Sequence, residues 1–276
     1  MCLSQSSMAI DLPMSAQRMS STSSKGNQAK YYLNSKWVKV DFLGYEGLSE
    51  VVVSDILRQS NVQKYSDYVP YYLCHGRIET PTGWEFYRGC YSEDFTREGY
   101  EFITLQRLFS LVTDAKFAKR MERMTISQRI STVVALVEEH TGLADFGQWL
   151  TVVLELDALV LNEDRHFHNL GLLRHANGQA SLMPIFDAGA AFLSDSTKDY
   201  ALHFPTPRLL SRVKSKPFAS TFKKQVTECQ QLYSDGASLL AIDIDYEQTI
   251  SVIKDLEHYQ MPEKERVIYL LQRLRK

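Results

Sequence analysis

Two short runs hold the side chains best suited to chemistry. The first is Leu161-Asn162-Glu163-Asp164-Arg165-His166-Phe167-His168-Asn169, and the second is Pro184-Ile185-Phe186-Asp187-Ala188-Gly189. Phosphoryl transfer from a nucleotide asks little of a protein beyond position and charge. One carboxylate must orient the attacking hydroxyl, and a second carboxylate with an amide oxygen must hold Mg²⁺. Asp164 and Asn169 are close enough in sequence for one short loop to aim the first at a substrate and the second at a metal. Asp187, beside the small residues Ala188 and Gly189, suits the bridging metal ligand. Each half alone has a plainer reading: an Asp-x-x-x-x-Asn after a helix is commonly a cap and a turn. His166 and His168 form an H-x-H string with no third soft ligand nearby, so they read as solvated or structural histidines.

These residues need elements to carry them. Asp145–Leu161 is apolar almost all round, which predicts a buried central helix ending just before the first run. Two short strands, Leu170–Leu173 and Ala180–Ile185, flank His175-Ala176-Asn177-Gly178, whose Asn-Gly favours a tight turn. That hairpin returns the chain to the first run and delivers Asp187. Upstream, Lys36–Phe42 alternates, with Trp37 and Lys39 on one side and Val38 and Val40 on the other. A helix follows over Leu48–Gln59. Val69–Ile78 and Trp84–Tyr91 form a hairpin across Glu79–Gly83, and Glu101–Leu105 is a further strand. A lysine on a half-buried strand needs an acid or a phosphate to offset its desolvation. Glu50 is the plausible acid, and Glu46 is the weaker one because it precedes the helix. The plain readings are a strand-face lysine and an acid favoured by the helix N-terminus.

From about Gln106 the period turns helical: 127–140, then the buried helix, then 218–233, 246–259 and 263–275. Residues 188–217 are irregular, and Lys264–Lys276 reads as an amphipathic terminal helix. The first 20 residues, rich in Ser and Met, read as a flexible arm.

The whole chain has 276 residues, 31 basic and 33 acidic, for a formal charge of −2. It is 44% hydrophobic and 11% aromatic, an ordinary globular composition. The charge balance removes direct nucleic-acid binding and an anionic membrane surface as default readings. Cys2, Cys74, Cys90 and Cys229 show no C-x-x-C pair, so neither a zinc module nor a disulfide scaffold is expected. Cys74 and Cys90 face each other across a hairpin or, the favoured reading, remain reduced thiols. No run of apolar residues is long enough to span a membrane, and the start lacks a secretory signal, so a cytoplasmic location is expected. Export as an effector without a cleavable signal is the alternative.

The string D-R-H-x-x-N at 164–169, a strand pair, and F-D-x-G at 186–189 resemble the catalytic and metal-binding loops of HipA-like serine/threonine kinases. Phosphatidylinositol kinase relatives share these motifs within the wider protein-kinase fold. Ser24–Tyr31 resembles the segment that stands in for the kinase glycine-rich loop, and Trp37–Val40 the strand of the nucleotide-binding lysine. Leu48-Ser49-Glu50 resembles the start of the helix bearing its acidic partner. The likeness runs from about residue 21 to the C-terminus.

The resemblance implies a bilobal α+β fold. Its small mixed N-lobe (21–107) has a sheet and one helix, and its larger C-lobe (108–276) is mainly helical. It implies ATP and Mg²⁺ as cofactors, with Asp164, His166 and Asn169 catalytic and Asn169 and Asp187 on the metal. Lys39, Glu50, Gly26 and Lys30 would serve the nucleotide, and His166 would brace the loop by hydrogen bonding. The implied reaction is transfer to Ser or Thr hydroxyls of a protein, with Ser21, Thr22, Ser23 and Ser24 as sites on the chain itself. Alternatives are a nucleotide-binding pseudokinase scaffold and a lipid or small-molecule kinase. Two departures stand out. Gly26 is the single glycine of its loop, and the lysine strand begins only 36 residues in. That leaves no room ahead of it for the N-terminal extension of full-length HipA toxins, which counts against an antitoxin partner.

Overall fold

The computed structural model describes residues 3, 6–19, 28–96 and 99–275. The chain begins with strand β1 (Met8–Ala9) and β2 (Gln17–Met19), followed by β3 (Lys30–Leu33) and β4 (Lys36–Val40). Asn34 and Ser35 join the last two at φ 50° and 60°. That is the mirror-image turn whose twist matches paired strands. Helix α1 (Glu46–Arg58) follows, then β5 (Tyr72–Thr80) and β6 (Gly83–Glu93). They close into a six-stranded sheet ordered β1-β5-β6-β4-β3-β2, with β1 parallel to β5. The expected flexible arm therefore supplies two strands instead. Its Ser/Met composition hid Leu3 and Leu12, both fully buried, and burying them offsets the entropy of ordering the segment.

Register decides the sheet's two faces. Val38 packs in a small outer cluster with Leu12, Cys74 and Tyr87, while Lys39 turns the other way, toward α1. Cys90 lies opposite Leu73, and Cys74 opposite Gly89. The two thiols thus point to opposite faces, and both are free and buried. Helix α1 starts two residues earlier than its apolar pattern implied and is buried from Glu46 to Leu57. Glu46 is its first residue, not a preceding one. Its carboxylate accepts the N–H groups of Phe42, Leu43 and Gly44 at 3.3, 2.7 and 3.1 Å, so it closes the entering loop.

Strand β7 (Tyr100–Thr104) does not join the N-terminal sheet as expected. It pairs with β8 (Gly171–His175), which pairs with β9 (Ala180–Leu182). A five-residue alternation carries no information about its partner. The sheet of the small lobe therefore ends at Glu93, ahead of the expected boundary at 107.

The larger lobe is helical: α2 (Leu105–Val112), α3 (Phe117–Glu122), α4 (Ile126–Thr141) and α5 (Phe146–Val160), then α6 (Thr206–Leu209), α7 (Phe222–Tyr233), α8 (Tyr246–Asp255) and α9 (Met261–Arg273). The short α2 and α3 were not foreseen. Thr125 and Gln128 form a capping box on α4, and α5 ends at Leu161 with φ 59°. The left-handed residue stops the helix and turns the chain into the Asn162–Asn169 loop.

The terminal helix does more than cover the core. Glu263 takes Arg88 of β6 at 2.5 and 2.8 Å, and Arg88 also lies 4.5 Å over the Tyr259 ring. The end of the chain thereby holds the sheet of the small lobe. No helix among the described residues is long and apolar enough to cross a membrane.

Candidate active site

Lys39 is 4% exposed and reaches from β4 between two carboxylates. Its Nζ lies 2.5 Å from Glu50 Oε1 and 2.6 Å from Asp187 Oδ1, and 4.7 Å from the Tyr71 ring centre. Burial works against its charge, but Asp187 and Glu50 overcome it and hold the ammonium pKa well above its ordinary value. Glu50 also accepts the Ala188 N–H at 2.8 Å. One glutamate on α1 thus fixes both the lysine of the small lobe and the backbone beside Asp187 in the large one.

Helix α1 is tied to the same segment further on. The Tyr45 hydroxyl lies 2.7 Å from the Phe192 carbonyl and 3.0 Å from that of Leu193, and Ser49 donates to the Ala191 carbonyl at 3.1 Å. Phe192 and Leu193 hold φ values of 54° and 57°, a conformation bulky residues rarely adopt. The hydroxyl of Tyr45, the residue just before α1, holds their carbonyls in place.

Asp187 has φ 62°, a region that Asp tolerates better than most residues. Burial pushes its carboxyl pKa up, yet Lys30, Lys39 and Arg165 outweigh that and hold it well below the usual range. Lys30 approaches the other oxygen at 3.5 Å. A carboxyl depressed in the folded state contributes stability that is complete above the unfolded value and lost as pH falls through the folded one. Asp187→Asn is therefore expected to flatten the loss of stability as the pH falls below the ordinary carboxylate value, about 3.9. Denaturant unfolding across that window measures it, and an unchanged slope would refute the assignment.

The Asp164–Asn169 loop is set by a residue the motif reading left without a role. Arg165 is 1% exposed and pairs with the fully buried Asp157 of α5 through two bonds, Nε at 2.8 Å and a terminal nitrogen at 2.9 Å. Its remaining nitrogen donates to the Phe186 carbonyl at 2.8 Å. Asp157 also takes the Asn162 amide at 2.7 Å. The buried helix, the 162–169 loop and the segment leading to Asp187 are thus joined through one guanidinium. The signal available in the sequence was a pair of acids, Glu155 and Asp157, inside a largely apolar helix, followed by an arginine in the next loop.

Asn169 closes the loop on itself. Its Nδ2 donates to the Asp164 carbonyl at 2.9 Å, and its Oδ1 accepts the His166 N–H at 2.8 Å. His166 does not brace the loop with its ring: both ring nitrogens are buried without a hydrogen bond, and Nε2 is 3.8 Å from Asp164 Oδ2. Burial lowers its pKa despite the nearby acids, which favours a neutral imidazole at pH 7. Asp164 Oδ1 instead meets Lys216 Nζ at 3.0 Å, a contact across irregular chain that no motif spacing announces.

Asp164, Asn169 and Asp187 line one cleft with Gln28, Lys30 and Gly189. Gly26 and the hydroxyl cluster at 21–24 lie outside the described residues. Among the described residues no group of three or more His, Cys, Asp or Glu side chains could hold a metal ion. Mg²⁺ bound with phosphates needs only one or two protein donors. The Asp187 carboxylate and the second lone pair of Asn169 Oδ1 fit that need.

No protein-family model and no curated protein matches the sequence. Among solved structures, the chain is similar to the Helicobacter pylori proinflammatory kinase CtkA, with a TM-score of 0.60 and 16% identity over 97% of this chain and 95% of that one. It also aligns with a chain from the Shewanella oneidensis MR-1 toxin–antitoxin complex of HipA, HipB and operator DNA. There the TM-score is 0.44 and the identity 12%, over 87% of this chain and 57% of that one.

Proposed function

The chain has the kinase-like fold of CtkA, and from that fold we propose that the protein is an Mg-ATP-dependent kinase acting on Ser or Thr hydroxyls of proteins. The observation that carries this is the Glu50–Lys39–Asp187 chain of contacts, whose Asp187 end lines one cleft with Asp164 and Asn169. A buried ammonium between two acids is poised to bind the α- and β-phosphates. Asn169 and Asp187 would hold Mg²⁺, which supplies charge neutralisation on the phosphates. Asp164 orients the acceptor hydroxyl and takes its proton as oxygen bonds to the γ-phosphorus. The bond to the β,γ-bridging oxygen then breaks, and ADP leaves. Lys216, beside Asp164, offsets charge at the acceptor end. Substrate would lie along 188–217, the stretch after Asp187.

The test is γ-labelled ATP with Mg²⁺ and the protein, alone and with cell lysate, separated into protein and lipid fractions. Label on protein is expected. Label confined to lipid would replace the protein acceptor, and no label with retained nucleotide binding would replace the kinase by a scaffold.

A further inference from the structure

The chain's near-neutral total conceals an uneven distribution. Residues 200–227 hold Arg208, Arg212, Lys214, Lys216, Lys223 and Lys224 and not one acidic residue. Arg208, Arg212, Lys214, Lys223 and Lys224 are exposed, and none of these five forms an ion pair with a described residue. Arg212 makes only a loose contact over the Phe204 ring, at 5.8 Å. Unpaired surface cations so concentrated in an otherwise acidic chain create a local positive field.

The run is anchored at the acceptor end of the cleft. The Lys214 N–H donates to Glu163 Oε1 at 2.8 Å, which fastens the backbone of 214 to the residue before Asp164. Lys216 Nζ touches Asp164 itself. Gln225 of α7 donates to the Lys216 carbonyl at 3.0 Å, so the start of α7, with Lys223 and Lys224, folds back beside the same loop. Arg212 and Lys214 lie four and two residues before Lys216 on chain that is extended at Val213. At no more than roughly 3.6 Å per residue, their backbones lie within about 14 Å and about 7 Å of that of Lys216.

From this we infer that the acceptor is an acidic polypeptide segment: a Ser or Thr with Asp or Glu two to four residues away, held by Arg212 and Lys214. The inference rests on the phosphotransfer reading and names its substrate class. Exposed ion pairs are individually weak, so two or three together should give about tenfold discrimination, falling with salt.

The experiment compares three fluorescein-labelled Ser peptides alike except for flanking Asp/Glu, Asn/Gln or Lys/Arg, plus a single-stranded oligonucleotide matched in charge to the acidic peptide. Both phosphorylation (kcat/KM with Mg-ATP) and binding (anisotropy) are read, on the full chain and on the double variant Arg212→Gln/Lys214→Gln, with the thermal midpoint as a folding control. The acidic peptide is expected to lead the neutral one about tenfold in kcat/KM, and the double variant to remove that lead by lowering kcat/KM for the acidic peptide far more than for the neutral one. Equal or better use of the neutral or basic peptide, an equal loss on all peptides, or tighter binding of the oligonucleotide would overturn the inference. If no peptide is phosphorylated, the kinase reading fails separately; selective binding of the acidic peptide, abolished by the double variant, would still support the patch, and its absence would refute it.

Discussion

Asp164→Asn is expected to lower phosphate transfer by about 10²–10⁴-fold, the range for loss of a positioned general base, while nucleotide affinity stays within a few-fold of the parent. The separation of effects follows from the geometry. The groups assigned to phosphates and metal are Lys39, Asp187 and Asn169, and Asn169 is held by the Asp164 backbone carbonyl, which the substitution keeps. The new amide retains the size of the carboxyl and can still accept from Lys216, but it can neither take a proton nor carry a negative charge. Single-turnover transfer from labelled ATP, set beside equilibrium binding of a fluorescent ATP analogue, measures both. Turnover close to that of the parent would remove Asp164 from its role.

Arg165→Met is the second large effect, and it acts on stability first. It leaves the Asp157 carboxylate 0% exposed, with its two guanidinium bonds gone and the Asn162 amide as a remaining partner. Breaking a buried pair from one side costs about 3–5 kcal/mol because the other charge stays uncompensated. The Phe186 carbonyl loses its donor too, directly before Asp187, so activity should fall even where the protein stays folded. Denaturant midpoints with the m-value test the first part. The double variant Arg165→Met/Asp157→Asn is expected to recover part of the stability, since it removes the stranded charge, but not the position of Asp187. A loss below about 1 kcal/mol for the single variant would show that the pair is not the clamp described here.

The two effects differ in how visible they were beforehand. Asp164, Asn169 and Asp187 belong to short runs whose residue types and spacing imply metal and hydroxyl chemistry without a fold. The buried helix α5 and the Asn-Gly hairpin were equally legible, because an all-round apolar stretch and a tight-turn dipeptide are local signals. Arg165, in contrast, was read only as a letter of a motif. Its worth depends on Asp157 lying one helix end away, in direct contact and buried with it. His166 was given a bracing role by analogy, yet its ring makes no hydrogen bond; the loop is braced by the Arg165 guanidinium and the Asn169 amide.

By itself the sequence determined the chemistry on offer: two carboxylates and an amide in two short loops, a strand lysine and a helix glutamate. Those are matters of residue type and local period, which survive without knowledge of distant contacts. Only the tertiary structure decided the rest. It placed Lys39 between Glu50 and Asp187, brought Lys216 onto Asp164, sent β7 to the hairpin of the large lobe and bound the N-terminal arm into the sheet. Each of these joins residues far apart in the chain. Loop closure is repaid there by burial and by charges that strengthen one another out of water. The sum of many such long-range terms, not any local propensity, chooses which partner each residue meets.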